Sequence, residues 1–189
     1  PTALTAFMAA ATKVAAFGAL LRVSYIVLTG LRWDIQIGFW VVAALTMIIG
    51  TIVGVAQSDI KRMLAYSSIA HAGFLLLGVF AFNSGGLAGS LIYLATYALT
   101  TIGTFAIVSL VRDSTGEATN LRAWAGLGKR SPLVASIFAL LLLALAGIPL
   151  TSGFTGKFAV FTAAVEAGQT WLVIIAIIAS AIAAFFYIR

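Results

Sequence analysis

Residues Gly147 to Phe158 read GIPLTSGFTGKF, placing one proline, three glycines, three hydroxyls and a lysine within a short stretch. The flanks are apolar runs, PLVASIFALLLLALA from Pro132 to Ala146 and AVFTAAV from Ala159 to Val165. The pattern is that of a membrane helix broken in its middle. Freed amide and carbonyl groups in hydrocarbon cost several kcal/mol each, so a lipid-facing helix would not carry such a break. The segment therefore belongs against protein or a watery cavity, and interrupted membrane helices are common seats of ion and proton sites. A proline kink closing a tight bundle is the plainer reading, but a kink has no use for Lys157.

Composition supports the membrane reading. At 189 residues, 62% hydrophobic and 8% charged, the chain lies far outside the makeup of soluble domains. The expected fold class is an all-α polytopic membrane protein with no separate soluble domain. The sequence contains no cysteine, which excludes disulfides, thiolate metal sites and iron–sulfur ligation in this chain and assigns any redox chemistry to partners. A net charge of +6 in a soluble protein would point to nucleic acid. Here the basic residues cluster in a few loops, as the positive-inside rule predicts, so the expected partner is the lipid bilayer and not nucleic acid. The chain starts at Pro1, shows no cleavable signal pattern and reads as an internal piece of a longer protein.

About 20 apolar residues span a bilayer as helix. On that measure six spans are expected, covering residues 1–29, 37–57, 60–82, 87–111, 132–165 with its break, and 170–189. Gly50 and Gly54 form a GxxxG spacing that reads as a helix-packing face. Tyr93, Tyr97, Thr100, Thr101 and Thr104 recur at three- and four-residue spacing and so share one helix face. That stripe either lines water or packs through interhelical hydrogen bonds. Residues 112–131 form the longest loop, and LRAWAGL within it is expected to lie on the membrane surface as a short amphipathic helix. Lys61 and Arg62 in the second connection, with Arg112, Arg122, Lys129 and Arg130 in the fourth, mark one side as cytoplasmic. The first connection offers Arg32 with Asp34, and the fifth Glu166; Pro1 and Arg189 then fall on the cytoplasmic side. TKVAAFGALLR at Thr12 to Arg22 faintly echoes SAIAAFFYIR at Ser180 to Arg189, as internal repeats do.

Three ionisable residues stand out deep within the spans, apart from Arg22 in the first and Lys61 and Arg62 at the edge of the third. Lys13 stands near the middle of the first, where a lysine costs about 2.5 to 3.5 kcal/mol on insertion scales. The span can bear that cost but gains nothing structural from it. Small neighbours, Ala9, Ala10 and Ala16, let water or another helix reach the amine. Lys157 follows the break and should meet the cavity that an irregular backbone requires. His71 lies ten residues beyond Lys61, about 15 Å deeper at 1.5 Å per residue, with Ser67 one turn before it. A lone helical histidine is often merely hydrogen-bonded to a neighbour, yet its ordinary titration range also suits a relay between two lysines. Lys61 sits at the membrane edge, where topology and lipid headgroups explain it. Lys13, His71 and Lys157 are thus the proton-transfer candidates, with Lys61, Ser67, Tyr93, Tyr97, Thr100 and Thr104 in support. No phosphate-binding glycine loop, metal-ligand cluster or activated nucleophile is present.

Three stretches, SDIKRMLAYSSIAHAGF (Ser58 to Phe74), GIPLTSGFTGKF and AAATKVAAFGALLRV (Ala9 to Val23), closely resemble the antiporter-like membrane subunits of respiratory complex I, the NADH:quinone oxidoreductase. The resemblance runs in order over essentially the whole chain. GFTGKF points to the subunit N branch, the bacterial counterpart of mitochondrial subunit 2, since the M-type branch typically has glutamate at the position of Lys157. The resemblance implies a fourteen-helix subunit of two inverted five-helix repeats, of which this would be the C-terminal part. The first helix, 1–29, would then close the first repeat, and 37–189 would form the second, with 112–131 as a cytoplasmic loop. Lys13, His71 and Lys157 would match the family's mid-membrane polar axis, along which protons move between half-channels, the second opening to the periplasm near the broken helix.

It further implies a proton-translocating role in which NADH, FMN, iron–sulfur clusters and quinone are handled by partner subunits, with no cofactor and no metal in this chain. Its partners would be the other membrane subunits of complex I, in a bacterial inner membrane. The family's upstream glutamate and lysine precede Pro1. The competing expectation is a subunit of a multi-subunit cation/proton antiporter, which shares this fold and much of the lysine pattern.

Overall fold

The computed structural model describes residues 2–113 and 116–189, and for Thr29, Arg32, Trp33 and Asp34 the backbone alone. The expectations for Pro1 and for the charges of Arg32 and Asp34 lie outside the described residues. Helices α1 (Thr2–Ile26), α2 (Arg32–Val55), α3 (Ile60–Val79), α4 (Ser84–Leu110) and α8 (Thr170–Ile188) are long and apolar enough to cross a membrane. A small hairpin, β1 (Arg112–Asp113) and β2 (Gly116–Glu117), and a single-turn helix α5 (Leu127–Arg130) precede α6 (Pro132–Ala146) and α7 (Ser152–Glu166), the two halves of the broken span. Helix α3 is the most enclosed of the long helices and packs on α2, α4, α7 and α8. That central position explains why the one histidine in the sequence is buried.

Short polar signals set the helix starts. Asp59 accepts from the Arg62 amide (3.0 Å) to cap α3, and Asn83 accepts from the Gly86 amide (2.6 Å) to cap α4. The Asn83 cap starts α4 at Ser84, three residues before the start expected from hydropathy alone. The Gly50–Gly54 spacing does serve packing, against two different helices. A methyl group on Gly50 would lie 2.6 Å from the Ala70 amide of α3, and one on Gly54 would lie 3.2 Å from the Phe186 ring of α8.

The break is closed by hydrogen bonds rather than simply hidden. Gly147, at φ +79°, ends α6 in a Schellman turn: its amide bonds the Ala144 carbonyl (3.1 Å) and the Ile148 amide bonds the Leu143 carbonyl (3.2 Å). This leaves the carbonyls of Leu145 and Ala146. Lys157, in the second turn of α7, reaches back and donates to both, at 3.2 and 2.8 Å. A cation at the C-terminal end of a helix also complements its dipole. Thr151 caps α7 through the Phe154 amide (3.4 Å), and its hydroxyl bonds the Ile148 carbonyl (2.7 Å). Leu150 faces outward, while Gly147, Ile148, Pro149 and Lys157 line a cavity of about 330 Å³ between the break and α8.

The 112–131 loop corrects one expectation. LRAWAGL does not form an amphipathic surface helix: Leu121–Trp124 make a 3-10 turn, and Gly126 at φ +77° breaks the path before α5. The Trp124 indole donates to the Ala118 carbonyl (2.8 Å) and its ring packs on Phe138, which folds the turn onto the bundle. The loop is stitched to the α2–α3 turn through the Ile60 amide to the Thr119 carbonyl (2.8 Å) and the Leu121 amide to the Ser58 carbonyl (3.0 Å). Glu117 adds a latch, accepting from Thr2 at the start of α1 and pairing with Lys61 at the start of α3. Arg189 donates to the carbonyls of Val55 (2.7 Å) and Gln57 (2.5 Å), so the two basic connections and both ends of the chain meet at one end of the bundle.

Two outcomes test these contacts. A methyl group on Gly153 would collide with the Ala144 carbonyl oxygen across the break. Gly153→Ala should therefore destabilise the fold by about 1–3 kcal/mol, read as a lowered melting temperature in detergent. The hydrogen bond from Lys61, then that from Thr2, holds the Glu117 carboxyl below its ordinary 4.5. A lowered carboxylate contributes stability above its ordinary value and loses it as pH falls through the folded value. Protection of the loop amides, corrected for the pH dependence of intrinsic exchange, should thus be flat from neutral pH to about 5 and fall only below about 4.

Candidate functional site

Lys157 sits at the break with every donor used. Besides the two α6 carbonyls, the ammonium bonds the Ser180 hydroxyl of α8 at 2.9 Å, and it lies 4.9 Å from the centre of the Phe74 ring. An ammonium has three N–H donors and no acceptor, so the protonated form fits this seat completely. Loss of a proton leaves two N–H groups and a lone pair. The two carbonyls only accept, but Ser180 can also donate, so it is the partner able to turn round when the amine becomes neutral. The seat therefore has a hydrogen-bonded answer for both protonation states.

His71 is the middle of the arrangement. Its Nδ1 lies 2.6 Å from the Tyr93 hydroxyl of α4, and its Nε2 lies 3.3 Å from the Tyr187 hydroxyl of α8. Tyr187 in turn bonds the Ser67 hydroxyl, one turn before His71. A neutral imidazole donates from one nitrogen and accepts at the other, and phenols do either. Both tautomers are accommodated, so a proton entering at one nitrogen and leaving at the other strands no group. Gly156 makes this possible at close range, since a methyl there would lie 2.9 Å from the Tyr93 ring. Hence the residue before Lys157 is where α7 approaches α4.

Lys13 forms the third group. A single π turn, Met8–Thr12, immediately precedes it in α1, a distortion that recurs at functional positions. The half-buried amine donates to the Ser68 carbonyl and hydroxyl, each at 2.5 Å, and to the Tyr97 hydroxyl at 3.2 Å. Tyr97 also donates to the Ser68 hydroxyl at 2.9 Å, and the amine lies 4.6 Å from the Tyr97 ring centre.

The three groups adjoin through rings. Tyr97 lies against His71 at 4.9 Å between centroids, and Phe74 meets His71 edge-on at 5.8 Å while the Lys157 amine also lies over its ring. The supporting candidates divide. Ser67, Tyr93 and Tyr97 are in the cluster. Thr100 and Thr104 are not: each hydroxyl bonds a carbonyl of its own helix, those of Thr96 and Thr100, both at 2.7 Å, so this part of the stripe serves packing. Lys61 is engaged at the loop latch, away from the cluster. Tyr187, which closes the His71 cluster, and Ser68 and Ser180, which hold the two lysines, were not among the sequence candidates. Among the described residues no group of three or more His, Cys, Asp or Glu comes together. What the arrangement can do chemically is hold and pass protons.

Comparison with known proteins agrees with this geometry. Residues 1–183 match the family described as NADH:quinone oxidoreductase/Mrp antiporter, transmembrane. A Streptomyces griseus protein named NADH-quinone oxidoreductase subunit N 3 is 62% identical over the whole chain, which corresponds to 34% of that relative. The chain thus spans about a third of the length of the curated relatives it matches. Among solved structures, a chain of respiratory complex I from Thermus thermophilus matches with a TM-score of 0.84 at 36% identity, covering all of this chain and 40% of that one. A chain of the Mrp complex from a Dietzia species also gives 0.84, at 29% identity, covering 92% of this chain and 32% of that one. A bundle of five membrane-length helices and one broken helix, a buried lysine and a half-buried lysine on either side of a buried histidine, and a family match over nearly every residue lead to one assignment: the chain belongs to the NADH:quinone oxidoreductase/Mrp antiporter family of membrane proteins.

Proposed function

We propose that this chain is part of a proton-translocating, subunit N-type membrane subunit of a bacterial NADH:quinone oxidoreductase in the plasma membrane. In this reading NADH oxidation and quinone reduction occur in partner subunits, and this chain contributes no redox chemistry. The observation that carries the proposal is the Lys157 seat, a buried amine at a helix break with a reversible hydroxyl partner in Ser180. Lys13 and Lys157 change protonation in turn, His71 passes the proton between them by exchanging tautomers, and water completes the path around Phe74. Distant charge movements reach the lysines through neighbouring charges, which favour or oppose an added proton according to sign. The basic end, with Lys61, Arg62, Arg112, Arg122, Lys129 and Arg130, faces the cytoplasm. Residues 1–29 close one repeat and 37–189 form the next.

The antiporter reading is supported by the equal TM-score of the Mrp match. Identity favours the oxidoreductase reading, at 62% to the subunit N relative against 29% to the Mrp chain. Sodium-dependent exchange without bound flavin or iron–sulfur partners would reverse that preference.

The test uses the full subunit in the assembled complex, reconstituted in vesicles. Lys157→Met and Lys13→Met should each lower protons moved per electron while NADH-driven quinone reduction continues. An unchanged ratio in both would remove the lysines from the mechanism. Lys157→Met should also leave the Leu145 carbonyl without its donor and the Ala146 carbonyl with only the long Ser180 contact (3.5 Å), costing about 1–3 kcal/mol for the former. Its melting temperature should therefore fall further than that of Ser180→Ala, which removes one hydroxyl and keeps the amine.

A further inference from the structure

At the basic end of the bundle lies a cavity of about 820 Å³, between the α2–α3 turn, the loop, α6 and the end of α8. Gln57, Ser58 and Asn120 supply neutral polar groups to its wall, Arg122 and Arg189 its charged groups, the latter held by the Val55 and Gln57 carbonyls, and Met63, Phe138 and Leu142 its apolar part. The roof is fixed by the backbone bonds that tie Thr119 and Leu121 to the α2–α3 turn. Tyr187 belongs to this wall, and it is the same residue whose hydroxyl reaches His71 Nε2 and Ser67. No other side chain of the wall is hydrogen-bonded to His71 among the described residues.

We infer that this cavity is a proton entrance from the basic end and that Tyr187 is the residue through which protons pass from it to His71. The inference rests on the proton-transfer reading above. The phenol gives its proton to the lone pair of the imidazole nitrogen facing it and takes one from a hydronium carried by the water chain on its cavity side. Two O–H bonds break, one O–H and one N–H bond form, neutral water is left, and the positive charge passes from the water chain to the imidazole with none on Tyr187. Ser67 holds the hydroxyl in line while the exchange occurs. The polar wall suits a chain of water molecules, which needs two to four polar partners per water where it is ordered. This gives the chain an opening at the loop end in addition to the cavity at the broken helix.

The test compares three variants of the full subunit in the assembled complex: Tyr187→Phe, which removes only the hydroxyl; Leu142→Trp, which fills the cavity; and Leu140→Trp, on the exposed face of α6. Protons moved per electron through this subunit should fall about tenfold or more in the first two, as expected for loss of a positioned proton-transfer group. They should be unchanged in the third, with quinone reduction and melting temperature near those of the parent in all three. A merely structural role for Tyr187 would not make proton movement sensitive to Leu142→Trp. Loss in Tyr187→Phe with normal pumping in Leu142→Trp would therefore overturn the entrance. Normal pumping in both, with Lys157→Met impaired, would overturn the inference and leave the wider reading intact. Normal pumping in all, Lys157→Met included, would overturn that reading itself.

Discussion

The structure depends on how a helix can stop inside a membrane. A break at that depth frees carbonyls from their helical partners, and here the Schellman turn at Gly147 satisfies those of Leu143 and Ala144 but not the next two. The Lys157 ammonium supplies the missing donors from the following half-helix. The same contact buries an amine that lipid would exclude and holds α6 to α7. The structural need and the proposed proton chemistry therefore fall on one side chain. The break makes a charged amine tolerable, and the amine makes the break tolerable.

Around that contact, the packing of α3 decides which groups meet. Its enclosed position brings Ser67 to face α8, Ser68 α1, His71 α4 and Phe74 α7. Two buried tyrosines from different helices then hold the imidazole from both sides. The glycines let backbones approach closely enough for this: Gly156 against Tyr93, Gly73 against Met47 and the Ala43 carbonyl. The polar groups are not one continuous hydrogen-bonded wire. They are three satisfied clusters separated by aromatic rings, so each can hold a proton state while its neighbour changes.

Much of this was legible in the sequence, for definite reasons. Lys13, His71 and Lys157 stood out because ionisable groups in apolar runs carry an insertion cost that only function or pairing offsets. The break was legible because Pro149 lacks the amide proton that a helix interior needs and Gly147 before it can take the left-handed backbone that ends one, whereas Gly153 and Gly156 lie within α7. Tyr187 was not legible. A tyrosine near the end of an apolar run has the same appearance as an interfacial anchor, and its partner lies 116 residues away. Thr100 and Thr104 misled because hydroxyls on a buried face can bond the carbonyl one turn back, which spacing alone does not reveal. The loop helix failed at Gly126, whose left-handed backbone ends the turn that the apolar pattern suggested.

The central claim is that the amine at the helix break gains and loses a proton in each working cycle. Infrared difference spectroscopy of the assembled complex between resting and turning-over states, with and without nitrogen-15 lysine, reads that event most directly. The account predicts an isotope-sensitive ammonium band that changes on turnover and is missing when Lys157 is replaced. A Lys157 signal that stays constant throughout turnover would contradict it.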